Sequence, residues 1–264
     1  MYNDMIFRAS EIHLLMGSAR SIDEHLTNDF VLSAKKLTDL LRKRKSISES
    51  EIEFINLFDD QYKKLQDKSL SAGAKTLIKE KVRKLKHNAP HKFSGSKETE
   101  KGHLVEDDAI MFLMQHEFIS AEKNTIRFNN DWITGEPDII SDIVYDTKCP
   151  WTYWSMPYFK DDIESKSTDA GYDWQQLCYL WLLRENNEFE PRIIDEAQLK
   201  YILMPTPDKC LGKWDDFTLH IDFVESMQPK GRISTYSIKY DQSKIEMSKI
   251  KIEAARKYAK TLVL

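Results

Sequence analysis

The sequence has little of what fastens a chain from outside its own core. Only three of its 264 residues are cysteine, Cys149, Cys178 and Cys210, and none stands in a C-x-x-C spacing. A disulfide framework, a zinc ribbon and a cysteine-held iron–sulfur cluster are therefore not expected, and a reducing cytoplasm fits. No uninterrupted apolar stretch approaches the ~18 residues that cross a bilayer, and the mean hydropathy is -0.55. The start, Met1-Tyr2-Asn3-Asp4, lacks a basic region followed by an apolar run, so neither a secretory leader nor a membrane partner is expected. There is no internal repeat and no low-complexity segment.

What is present describes a packed globule. Charged residues make up 31% and aromatics 11%, with six tryptophans, which argues against disorder. The length suits one large domain or two small ones, with ample chain for a core. The net charge of -4 is not that of a protein that simply coats DNA. It is unevenly spread, however: Lys75, Lys79, Lys81, Arg83, Lys84, Lys86, Lys92 and Lys97 fall in one strongly basic stretch. Such a run is either a phosphate-attracting surface or a solvated helix face. An acidic total also suits a metal site built from carboxylates.

Residues 1 to about 118 read as helical. Ser10 is placed to cap a short helix, Glu11 to Met16, and a second helix runs through Leu32 to Leu41. A third opens on Ser48-Glu49-Ser50-Glu51, a capping-box pattern, and a fourth follows Ser69 or Ser71 and stops before Asn88-Ala89-Pro90. Pro90 to Ser96 reads as a loop and Glu98 to Glu117 as a fifth helix. The character changes near Asn124. Thr125–Phe128, Trp132–Thr134, Ile143–Tyr145, Leu199–Met204, Phe217–Phe223 and Ile233–Tyr240 read as strands, with Gly171–Arg184 and a segment after Asp241 as helices. The order implies an α/β or α+β chain, residues 1-264 in one domain. Within it residues 1-100 are mainly helical and 101-264 hold the mixed sheet.

Chemistry concentrates in Gly135-Glu136-Pro137-Asp138 and Asp146-Thr147-Lys148. The two pieces read as a hairpin turning near Ser141-Asp142. Asp146 and Lys148 are two apart, so on a strand they share a face, and Asp138 opens the partner strand. Two hard carboxylates hold Mg²⁺, with Mn²⁺ able to substitute. A lysine beside them orients water or neutralises a phosphoryl oxygen. Taken alone the pattern also suits a solvent-facing hairpin. Two further features accompany it. Glu106 lies at the edge of the apolar stripe Val105, Ala109, Phe112, Leu113 on the fifth helix, where a carboxylate can reach a metal directly or through water. Gln175 and Tyr179, four apart on the later helix, stack on one face and can hold a nucleic-acid strand or a metal-bound water. The bland reading puts Tyr179 in the core and Gln175 in solvent.

In this order the elements resemble the PD-(D/E)xK nuclease superfamily, and within it the lambda-type phage exonucleases and YqaJ-like viral recombinase nucleases. Three strings carry the likeness: Arg8-Ala9-Ser10-Glu11-Ile12, then Lys101-Gly102-x-x-x-Glu106-x-Asp108-Ala109, then Asp146-Thr147-Lys148-Cys149-Pro150. The resemblance covers about Arg8 to Arg184, with a helical insertion near residues 30–90. It implies a restriction-endonuclease-like core: a central mixed sheet flanked by helices. It implies a metal-dependent nuclease that degrades linear duplex DNA from 5′ ends in phage-type recombination or end resection, inside a bacterial host cell. It further implies a homotrimeric ring and a single-strand annealing protein as partner.

Residue by residue, the resemblance makes Glu106, Asp138, Asp146 and Lys148 catalytic. It places the metal on Asp138, Asp146, Glu106 and the Thr147 carbonyl, and substrate contacts on Arg8, Ser10, Glu136, Gln175 and Tyr179. Asp146 stands where glutamate is more usual. Glu136 stands where some relatives place a small hydroxyl residue that grips a terminal phosphate, and a carboxylate there repels phosphate. For an upstream tryptophan-and-arginine segment of the family, Arg8 or Arg20 would substitute. Two alternatives stay open. One is a restriction-like endonuclease or RecB-like single-strand nuclease of the same superfamily. The other is a DNA-binding protein without catalysis on the same fold.

Overall fold

A computed structural model describes residues 2, 4–89, 95–186 and 194–262. The helices are α1 (Ile12–Met16), α2 (Asp29–Leu41), α3 (Glu49–Lys68), α4 (Ala72–His87), α5 (Lys97–His116), α6 (Lys160–Asp169), α7 (Tyr172–Glu185), α8 (Phe223–Ser226) and α9 (Gln242–Thr261). The strands are β1 (Phe7–Arg8), β2 (Phe128–Asn129), β3 (Ile133–Gly135), β4 (Ile139–Ile140), β5 (Val144–Lys148), β6 (Glu196–Ile202) and β7 (Ile233–Lys239). The class is α+β, as expected. The chain forms two compact units, one of Met1–Met5, Leu14–Ala89 and Glu246–Leu264, the other of Ile6–His13 and Pro90–Ile245.

In the helical unit, local signals set the helix ends. The Ser48 hydroxyl accepts the Glu51 N–H while the Glu51 carboxylate accepts the Ser48 N–H at 2.8 Å, closing the expected capping box on α3. Ser71, not Ser69, caps α4 through the Ala74 N–H. That helix ends at Asn88, whose φ of 46° is left-handed and suits asparagine. Ala74, Ile78 and Val82 are the buried stripe of α4, and Lys79, Arg83, Lys84 and Lys86 are exposed. The loop expected over Pro90 to Ser96 lies, for 90–94, outside the described residues.

In the other unit the strands form two mixed sheets rather than one. The first has order β1-β3-β2 and the second β4-β5-β6-β7. In the second, β5 pairs antiparallel with β4 and parallel with β6, placing Asp146 opposite Leu199 and Lys148 opposite Tyr201. Alternation along β5 sends successive side chains to opposite faces. Tyr145 packs with Val105, Ala109, Ile110 and Leu113 of α5. On the other face Asp146 meets Tyr179 of α7. Leu199 and Tyr201 pack in a separate cluster with Ile163 of α6 beside it.

Two further expectations are corrected. Ser10 is no cap: Ala9–Glu11 form a 3₁₀ turn entered at Arg8, whose N–H donates to the Glu11 carboxylate at 2.8 Å. Phe217–Phe223 alternates apolar and polar residues like a strand, yet Thr218–Asp222 is a π-helical turn leading into α8. Asp216 starts it by accepting the Leu219 N–H, a cap signal that outweighs the period-two pattern. Helix α6 had no counterpart in the sequence reading, its apolar positions being too few to show a periodic stripe.

Candidate active site

Asp138, Asp146, Thr147 and Lys148 converge at the open end of the β4–β5 hairpin. The Asp138 N–H donates to the Tyr145 carbonyl at 3.2 Å. Its carboxylate accepts both the Thr147 N–H at 2.6 Å and the Thr147 hydroxyl at 2.7 Å. Thr147 thus pins Asp138 as well as offering its carbonyl, which accepts the Lys148 ammonium at 3.2 Å. Asp146 is 2% exposed and is ion-paired with Lys148. Its other oxygen accepts the Tyr179 hydroxyl at 3.3 Å, and the Gln175 amide donates to that same hydroxyl oxygen at 2.6 Å. Both Gln175 and Tyr179 are buried. Their polar atoms turn to each other and to Asp146, so the two residues support a carboxylate instead of presenting themselves to a strand in solvent.

Gly135 permits that approach. A Cβ there would lie 2.8 Å from the Tyr179 ring and 3.1 Å from both Ala9 and Leu182. Any larger residue would push β3 away from α7, and Tyr179 with it.

Electrostatics acts on the Asp138 carboxyl. Burial and the neighbouring charge of Asp146 push the Asp138 carboxyl up to about 7. Burial opposes the charge of Lys148, but Asp146 and Asp138 outweigh it and hold the ammonium protonated, above its ordinary value. Lys148 is thereby held as a hydrogen-bond donor to Asp146. Burial, and then Asp146, raises the Tyr179 phenol well above its ordinary value, which keeps it a hydrogen-bond donor.

A cavity of about 510 Å³ opens beside the hairpin, lined by Thr147 and Lys148 on one side and Gly102, His103 and Glu106 of α5 on another. Glu106 faces this space but is ion-paired to Lys123 at 2.8 Å, a lysine shared with Asp107 at 2.5 Å. Glu136 pairs with Arg127 at 2.7 Å, which offsets its negative charge. Arg8 and Ser10 lie exposed on β1 and the turn after it, where Arg8 stands opposite Thr134 of β3.

The donors fit a hard divalent cation. Asp138 and Asp146 are oxygen ligands, and burial together with the charge of Asp146 already pushes Asp138 toward its neutral form, which an added positive charge would relieve. Among the described residues no three His, Cys, Asp or Glu side chains stand close enough to hold one ion. Glu106 would have to leave Lys123 to join. Burial pushes the thiol of Cys149, which lines the cavity, up to about 12. The three described cysteines are all free.

Solved structures decide the fold. Over 97% of its length the chain is similar to the crystal structure of a phage related exonuclease from Haemophilus somnus 129PT. It covers 94% of that chain, with a TM-score of 0.72 and 27% sequence identity. The fold is that of the lambda-exonuclease-like nucleases. An alkaline exonuclease from Laribacter hongkongensis is more distant: TM-score 0.47, 12% identity, 74% of this chain and 84% of that one covered. No protein-family model matches the chain, and no curated protein does.

Within this nuclease fold the sequence reading gave no role to Lys101, Lys166 or Tyr172. Lys166 and Tyr172 line the cavity, and Lys148 stands 5.1 Å over the Tyr172 ring. Lys101 is wholly buried. One signal was legible: Lys101 is four residues before Val105, so it heads the apolar stripe of α5.

Proposed function

We propose that the chain is a metal-dependent DNA exonuclease. It hydrolyses phosphodiester bonds of linear duplex DNA, with 5′ to 3′ polarity and a role in phage-type recombination or end resection. The observation that carries the reading is the meeting of Asp138, Asp146 and Lys148 beside an open cavity. The likeness to the phage related exonuclease supports it. Asp138, Asp146, the Thr147 carbonyl and, once released from Lys123, Glu106 would hold Mg²⁺ or Mn²⁺. That ion would supply charge stabilisation at the phosphoryl and leaving oxygens. Tyr179 and Gln175 keep Asp146 in one orientation, and Thr147 does the same for Asp138. Lys148, held protonated, orients the attacking water or meets a phosphoryl oxygen. Arg127 screens Glu136, which lowers the repulsion that this carboxylate would exert on a terminal phosphate. The same reading extends to a homotrimeric ring and a single-strand annealing partner, each open to sedimentation and co-purification tests.

The test is a nuclease assay with and without Mg²⁺ on four substrates: linear duplexes with 5′-phosphate or 5′-hydroxyl ends, single strands and closed circles. Lys148→Ala is the control. Mononucleotide release from linear duplex alone, lost in the variant, is expected. Cutting of closed circles would move the protein to an endonuclease, and binding without turnover would leave a DNA-binding protein on a nuclease fold.

A further inference from the structure

The ammonium of Lys101 donates to two successive main-chain carbonyls, Pro150 at 2.8 Å and Trp151 at 2.9 Å. These are the second and third residues after Lys148. A second set of contacts holds the same point. The Thr206 hydroxyl donates to the Trp151 carbonyl at 3.4 Å and is joined to His220 Nδ1 at 3.0 Å. The Trp151 ring sits edge-on to His220 with centroids 4.9 Å apart. Pro150 and Trp151 form part of the cavity wall that includes Lys148 and Glu106. Lys101 itself heads the α5 stripe that continues through Val105 and Ala109, the residues on either side of Glu106 in that packing.

Stability alone does not account for a lysine here. An apolar side chain of similar length would fill the space without taking a charge out of water. Burial already draws the Lys101 pKa down to about 8, so the ammonium persists at a cost. What the charge adds is a directed, two-pronged grip on chain that no side chain of β5 holds.

We propose that Lys101 is a positioning residue for the candidate active site: from α5 it fixes the exit of β5, so that Lys148 and Glu106 keep one mutual arrangement across the cavity. The inference rests on the reading of Lys148 as a participant in phosphodiester hydrolysis, but its first test does not use catalysis. In metal-free protein, amine acylation followed by mass spectrometry reports the reactivity of each lysine. Lys101→Met is expected to raise the acylation rate of Lys148 by about 5-fold or more, because the grip that shapes its surroundings is gone. Lys200, buried on β6, should be unchanged, whereas global unfolding would raise both. Lys101→Gln, which keeps an N–H₂ donor, should return Lys148 part-way to its native rate and serves if the methionine variant does not fold. On linear duplex DNA, Lys101→Met should lower kcat about 10- to 100-fold with KM within about 3-fold, the pattern of a displaced catalytic group. Unchanged Lys148 reactivity in folded Lys101→Met protein overturns the proposal, as does full turnover per folded molecule. An inactive wild type with altered Lys148 reactivity in the variant would instead sink the nuclease reading and leave the positioning role standing.

Discussion

Asp23 in the helical unit and Asp138 in the sheet unit are both aspartates drawn out of solvent, and they are treated in opposite ways. Asp23 is fully provided for. Its carboxylate accepts the Leu70 N–H at 2.8 Å and the Lys75 ammonium at 2.6 Å, and its own N–H donates to Ser69 at 2.9 Å. Lys251 donates to the Ser69 carbonyl, adding a contact from the last helix. The Asp138 carboxylate also has partners, both from Thr147, but burial and then the charge of Asp146 drive it toward its neutral form. Closed polar networks hold a fold together. A group left short of charge compensation is poised for something the protein lacks, which is how functional sites differ from structural ion pairs.

That contrast can be broken by mutation. The largest effect is expected at Asp146→Asn, which keeps the shape but removes a ligand charge. Cleavage should fall about 10³-fold while the circular-dichroism melting curve stays within a few degrees. Native-level turnover would remove Asp146 from the mechanism. Asp23→Ala should do the reverse. It leaves Lys75 and the Leu70 N–H without their partner, costing about 2–3 kcal/mol in urea unfolding, with unchanged turnover per folded molecule. Loss of catalysis there would mean that the helical unit does more than support.

The pH dependence of stability sharpens the comparison. The folded pKa of Asp138, about 7, lies above its ordinary 3.8. Its contribution to stability is therefore complete below the unfolded value and is lost as pH rises through about 7. Metal-free protein should lose stability between about pH 4 and pH 7 with a slope of up to one proton, and Asp138→Asn should flatten that slope in paired urea titrations. The smallest effect is expected at Ser48→Ala, which opens the capping box of α3 for about 1 kcal/mol and leaves cleavage alone.

Much of this architecture was legible because its signals are local. The Ser48/Glu51 box, the two-residue spacing of Asp146 and Lys148, and the four-residue spacing of Gln175 and Tyr179 each follow from the repeat of one element. Each was recovered in place. What failed was equally local in origin. Phe217–Phe223 presents a strand's alternation that a capping aspartate overrides, and Ser10 resembles a cap although the turn begins two residues earlier. Lys101 stood in one of the three strings of the resemblance but was given no role, because a lysine looks solvated until its neighbours are known.

The sequence by itself determined which side chains share a face of a strand or helix, where most helices begin, and that carboxylates and a lysine meet at one hairpin. These depend on backbone geometry that each residue carries with it. Only the tertiary structure decided the protonation of Asp138, the turn of Gln175 and Tyr179 toward Asp146, the pairing of Glu106 with Lys123 and of Glu136 with Arg127, and the grip of Lys101 on the chain beyond Lys148. Each of these depends on how much water is excluded and which charge arrives from elsewhere in the chain. Neither quantity is written in the spacing of residues.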